Sequence, residues 1–167
     1  MSYTEMFGFD KNGNGYPYAE IDNSWRSLIA VWEHLVKKYL NIDKFAYHSM
    51  KEIDKLIEKN ILSDVDKICL YTTFDNVLVK KEDIPRVIDA FRKFDGDRTS
   101  LKEQADILEE MLNNDDCIAV GWNQTSVNDD IWYRYNYDEE TESYVPYNCL
   151  TGSKHIWLFH NDECKIY

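Results

Sequence analysis

Cys117-Ile118-Ala119-Val120-Gly121-Trp122 has no polar side chain. A half-exposed strand alternates apolar and polar residues, so an unbroken apolar run of strand length implies a strand covered on both faces, at the centre of a sheet. Downstream the pattern changes: Ile131, Tyr133, Tyr135 and Tyr137 alternate with Trp132, Arg134 and Asn136, the period of a strand with two unlike faces. Asp138 to Ser143 reads as an acidic turn, and Tyr144 to Tyr147 and His155 to Phe159 complete an antiparallel meander, which Asn161-Asp162-Glu163 can turn into a last short strand.

Upstream of the run, the apolar residues recur at three and four. Ser100 and Glu103 form a capping-box pair ahead of Leu101, Ala105, Leu108, Met111 and Leu112. Ile84, Val87, Ile88, Phe91 and Phe94 form the face of another helix, with Pro85 in its first turn and Gly96 at its end. A helix from Asn23, capped by Asn23 or Ser24, runs through Trp25, Leu28, Ile29, Trp32, Leu35, Val36, Tyr39 and Leu40. A shorter one spans Ser49 to Lys59, with Asn60 in the left-handed closing position. Ile68 to Phe74 reads as a strand, followed by Val77 to Val79. Phe7 and Phe9 before Asn12-Gly13-Asn14-Gly15, and Tyr16 and Tyr18 after it, read as an aromatic hairpin.

The expected fold is therefore α+β in a single domain, residues 1–167. About four helices occupy the N-terminal two thirds, and a mainly antiparallel, aromatic-rich sheet occupies the C-terminal third and receives the earlier strand. With 44% apolar and 14% aromatic residues the chain can bury a core, which excludes disordered and low-complexity classes. The longest apolar run uninterrupted by glycine, Leu28 to Trp32, is five residues, far short of the ~20 of a spanning helix. Met1 to Gly15 lacks a cationic patch followed by an apolar stretch, so a cytoplasmic location is expected. Cys69, Cys117, Cys149 and Cys164 are widely spaced and read as reduced thiols.

Motifs that carry chemistry are weak. Asp10, Asn12, Asn14 and Gly15 match the first, third, fifth and sixth places of an EF-hand calcium loop, but the twelfth place, normally a bidentate carboxylate, is Ile21. His155 and His160, near Cys149 and Cys164, stand an odd number of residues apart and point to opposite faces of a regular strand, which disfavours a shared zinc ion. Cys117 follows Asp115 and Asp116, whose charge disfavours a thiolate nucleophile. No phosphate loop, nucleophile elbow or zinc-protease helix occurs, and no cofactor is expected.

Charge is the informative feature. The chain has 19 Lys and Arg against 31 Asp and Glu, net −12. Residues 1–100 hold 15 basic and 17 acidic side chains, whereas residues 101–167 hold 4 and 14, the four being Lys102, Arg134, Lys154 and Lys165. Such a region repels a phosphate backbone, so direct nucleic-acid binding is not expected. It attracts a basic partner instead, with Tyr and Trp as anchors. The residues expected to bind that partner are Asp129, Asp130, Trp132, Asp138, Glu139, Glu140, Glu142 and Tyr144.

In size, charge asymmetry and absence of catalytic motifs the chain resembles small acidic inhibitors encoded by phages and mobile elements, including some anti-CRISPR and anti-restriction proteins. That resemblance implies a non-enzymatic protein-binding module, a nucleic-acid mimic that occupies the basic nucleic-acid-binding surface of another protein. Two alternatives stand beside it: a calcium-binding protein using the Asp10 loop, and a small enzyme or nucleotide-binding protein with an unrecognised pocket.

Overall fold

The computed structural model describes residues 3–22, 28–43, 50–75, 77–123, 136–145, 150 and 156–159. The chain opens with a hairpin, β1 (Tyr3–Phe9) and β2 (Gly15–Asp22). Three helices follow, α1 (Ala30–Leu40), α2 (Lys51–Lys59) and α3 (Asp64–Tyr71), and then β3 (Val77–Lys80). A 3-10 turn over Lys81–Asp83 leads into α4 (Ile84–Lys93), followed by α5 (Leu101–Leu112) and β4 (Ala119–Asn123). The remaining strands are β5 (Asn136–Asp138), β6 (Ser143–Val145) and β7 (Ile156–Trp157).

The main sheet has the order β2-β1-β4-β3-β7, antiparallel except for the β3–β7 pair, which is parallel. β5 and β6 pair with each other in a separate two-stranded sheet. This overturns the expectation of a sheet confined to the C-terminal third. The strands are spread along the whole chain, and the N-terminal hairpin supplies two of the five in the main sheet.

The reason is visible in β1. Met6 belongs to the large core with Val77, Val79, Val120 and Trp122, whereas Phe7 and Phe9 belong to a second cluster with Leu78 and Ala119. Consecutive residues of a strand face opposite ways, so β1 is apolar on both sides and requires strands beside it and cover above and below. It lies between β2 and β4, with Met6 opposite Trp122 and Phe9 opposite Ala119. The apolar run from Cys117 does supply a central strand: every residue of β4 is buried.

The helices cover the Met6 face, where Phe91 of α4 meets Trp122 edge to face at 6.2 Å between centroids. Trp122 also donates to Gln104 of α5 at 2.8 Å. The opposite face is covered by Leu150 and Trp157. Trp157 and Phe159 are held by Lys80 over the Trp157 ring at 5.4 Å and Arg86 over the Phe159 ring at 4.0 Å, contacts worth about 0.5–2 kcal/mol each.

Three local expectations are corrected. Ile68 to Phe74 is not a strand: Ile68–Tyr71 belongs to α3. Ser63 adopts an extended conformation and accepts the amide of Asp66 at 3.1 Å, which starts a helix with Asp64 and Asp66 in its favourable first turn. This makes five helices among the described residues where about four were expected. Ser100 precedes α5 without capping it through its side chain; its hydroxyl accepts from Gln104 Nε2 at 3.0 Å instead. Gly96 does not close α4, which ends at Lys93 with an extended Phe94. Gly96 is there for space, because a Cβ would run into the Phe94 ring and His34.

Nor does Ile156–Trp157 continue an antiparallel meander from β6: it pairs in parallel with β3 in the other sheet. Several local expectations hold. Asn60 closes α2 in the left-handed region with φ 47°, Pro85 stands in the first turn of α4, and Cys69 and Cys117 are buried free thiols. Among the described residues no helix is long and apolar enough to cross a membrane. The Asn23 or Ser24 cap, Ile131 to Tyr135, Cys149, Cys164, His155, His160 and the Asn161-Asp162-Glu163 turn lie outside the described residues.

Candidate functional site

The pairing of β1 with β4 brings two acidic turns to one end of the main sheet. The Ile118 amide donates to the Phe9 carbonyl at 2.8 Å, just beyond the last register pair, so the Asp10–Asn14 turn and the Asn114–Asp116 turn emerge side by side. They flank an open cavity of about 470 Å³ lined by Asp10, Lys11, Asn12, Tyr16, Asn114, Asp115, Asp116 and Ile118.

Tyr16 crosses β1 at Gly8, where any side chain would collide with its ring, and its hydroxyl accepts from Asn114 Nδ2 at 3.4 Å. Burial, the neighbouring Cys117 thiol and the Asp116 charge hold the Tyr16 hydroxyl well above the ordinary phenol range, so it stays protonated. Ile118, 38% exposed, contributes an apolar patch to the same wall.

Acidic side chains outnumber basic ones here: Asp10, Asp115 and Asp116 share the cavity wall with Lys11. α5 terminates here with no basic residue in its last turn, and the C-terminus of a helix carries about half a negative charge. Glu109 is neutralised by Arg92 at 2.7 Å, and Lys81 Nζ donates to the Asn114 carbonyl at 2.7 Å. Glu110, Asp115 and Asp116 are exposed and have no ion pair among the described residues. Carboxylates placed at a helix C-terminus oppose the dipole, so the fold gains nothing from their position.

The calcium pattern takes a different form in three dimensions. Asp10 Oδ1 accepts the amides of Asn12 and Asn14 at 2.8 and 3.0 Å, and Oδ2 accepts Asn14 Nδ2 at 2.9 Å. The Asn14 side chain leads these contacts in holding the Asp10 carboxyl below its usual pKa, against the opposing effect of burial. Asp10 thus closes its own turn, its side chain bonding the backbone two and four residues on. Among the described residues no group of three His, Cys, Asp or Glu side chains converges as a metal site would require.

Of the residues singled out from the sequence, the described ones lie elsewhere. Asp138 and Tyr144 belong to the β5–β6 hairpin, where Asp138 is opposite Ser143 and Tyr137 opposite Tyr144. Glu139, Glu140 and Glu142 are exposed on its turn, with Glu142 in the left-handed region at φ 48°. The structure therefore gathers Asp138, Glu139, Glu140 and Glu142 on one hairpin. Asp129, Asp130 and Trp132 lie outside the described residues. The acidic mouth formed by Asp10, Asp115 and Asp116 was not anticipated from the sequence, because it exists only through the β1–β4 pairing.

A second polar cluster joins α1, α3 and the loop after α4. Asp66, 1% exposed, accepts Lys38 Nζ at 2.9 Å, Tyr39 Oη at 2.6 Å and Ser63 Oγ at 2.8 Å. Lys38 also bonds Asp95, whose Oδ1 lies 2.8 Å from His34 Nε2. Burial opposes the Lys38 ammonium, but Asp66 and Asp95 outweigh it and raise its pKa. Lys38, ahead of His34, lowers the Asp95 pKa, with burial opposing both. Every charge in this cluster meets a partner from another element, which makes it a brace between elements.

No family model matches the chain, and no curated protein or solved structure matches it either.

Proposed function

We propose that the chain is a non-enzymatic, acidic protein-binding module that engages a basic surface on another protein, of the kind that holds nucleic acid. The observation that carries this reading is the exposed position of Glu110, Asp115 and Asp116 at the negative end of α5, without ion pairs among the described residues. Local stability argues against carboxylates there, and departures of this kind concentrate where a surface serves recognition. The β5–β6 turn adds Glu139, Glu140 and Glu142.

Carboxylates spaced along a surface can replace phosphates in a basic groove, speed encounter by steering, and exclude nucleic acid from the partner. Inhibition by occupation is the mode of action that follows, as in the phage and mobile-element inhibitors the chain resembles, and it places the protein in the cytoplasm beside such a target. The mouth offers a place for a basic side chain: Ile118 can pack against its aliphatic stem while Asp115 and Asp116 face its head.

The test is affinity capture on the immobilised chain at low and high salt, with the retained proteins identified by mass spectrometry. A nucleic-acid-handling protein retained at low salt only supports the reading. Retention of nothing, or retention that ignores salt, rejects it.

A further inference from the structure

The turn between β1 and β2 contains two Asn-Gly pairs, Asn12-Gly13 and Asn14-Gly15. An asparagine followed by glycine is prone to cyclise, because glycine has no side chain to keep its backbone nitrogen from the asparagine side-chain carbonyl carbon. The two pairs differ in how firmly they are held. Asn14 is bound to Asp10 three times: its amide donates to Oδ1 at 3.0 Å, its Nδ2 to Oδ2 at 2.9 Å, and its carbonyl accepts the Asp10 amide at 3.1 Å. Asn12 is exposed, and its side-chain amide has no hydrogen bond among the described residues.

We infer that Asn12 is a site of spontaneous covalent modification, deamidation through a succinimide with water as the only co-reactant, and that Asp10 keeps Asn14 out of the same reaction. The Gly13 amide donates to the Asp10 carbonyl at 2.9 Å, so reaction starts from openings of that single bond, at a turn where Lys11, Asn12 and Asn14 are exposed. The Gly13 nitrogen gives its proton to base and bonds to Asn12 Cγ. The bond from Cγ to the side-chain nitrogen breaks, and the nitrogen leaves as ammonia after taking up a proton. Water then opens the ring at either carbonyl, leaving aspartate or isoaspartate. Both products place a carboxylate in the cavity wall that already holds Asp10, Asp115 and Asp116. The chemistry does not depend on the binding function proposed above.

The experiment is incubation of the intact chain in mildly alkaline buffer, followed by peptide mapping that separates asparagine, aspartate and isoaspartate at both positions. A denatured sample, in which neither residue is protected, calibrates the intrinsic rates. Asn12 should convert about tenfold faster than Asn14, the ratio expected of one or two additional hydrogen bonds. In Asp10→Ala the Asn14 rate should rise by about the same factor. Equal rates at the two residues in the folded chain would overturn the inference. So would an unchanged Asn12 over a period in which the denatured chain converts.

Discussion

The amide of Ile118 donates to the carbonyl of Phe9 at 2.8 Å. This bond links the beginning of the chain to its acidic second half, and it is why Asp10 and Asp116, far apart in sequence, line one cavity. The proposed recognition surface is thus a product of strand pairing rather than of any contiguous motif.

Glu110→Lys should separate stability from binding. It removes an anion from the negative end of α5 and adds a cation there, so unfolding in denaturant should show a gain of about 0.3–1 kcal/mol. Binding to a basic partner should weaken at the same time. A loss of stability would contradict the electrostatic reading of this helix end.

Asp66→Asn should lower stability by about 1–3 kcal/mol, because Tyr39 and Ser63 then share a weaker acceptor and Lys38, which keeps Asp95, loses its buried counter-charge. The midpoint of denaturant unfolding should fall with little change in slope.

Gly96→Ala should destabilise by about 1–3 kcal/mol, the usual cost of overpacking. The added methyl meets the Phe94 ring and His34, and both are held, Phe94 within the core and His34 by Asp95. A neutral result in thermal unfolding would show that this contact relaxes freely.

The brace also has a pH signature. The Asp95 pKa is lowered in the folded chain by Lys38 and then His34. Its contribution is therefore complete above the unfolded carboxylate value of about 4 and disappears as pH falls through the lower folded value. The Lys38 pKa is raised, so its contribution is complete below about 10.4 and is lost as pH rises through the folded value. Asp95→Asn should flatten the acid limb of a stability–pH curve. The effect is small, because Asp95 is 61% exposed.

Cys69 and Cys117 should resist alkylation in the native chain and react once it unfolds. Both are fully buried, and burial, with the Asp66 charge adding to it, pushes the Cys69 thiol far above its ordinary pKa. Rapid labelling of either in the folded state would contradict the described core.

Helical periodicity and turn chemistry are local, and so they were legible: the face Ile84, Val87, Ile88, Phe91 and the closing role of Asn60 follow from a few neighbouring residues. Partner choice is not local. The run Ile68 to Tyr71 fits a buried strand or a buried helix, and the Ser63–Asp66 bond decides it. The aromatic hairpin was readable as a hairpin, but its insertion beside β4 depends on Phe7 and Phe9 finding cover from Leu78, Ala119, Leu150 and Trp157 across the chain. For the same reason the acidity of residues 101–167 was visible as composition, whereas the mouth shared by Asp10, Asp115 and Asp116 was not.

The most direct test of the central claim is competition on the captured partner. Nucleic acid and this chain are titrated against each other, using the native protein and a variant carrying Glu110→Lys, Asp115→Lys and Asp116→Lys. Mutual exclusion is expected, with an affinity that falls steeply with salt, and loss of both in the variant. Simultaneous binding of the chain and nucleic acid, or equal affinity of the native and charge-reversed proteins, would contradict the claim.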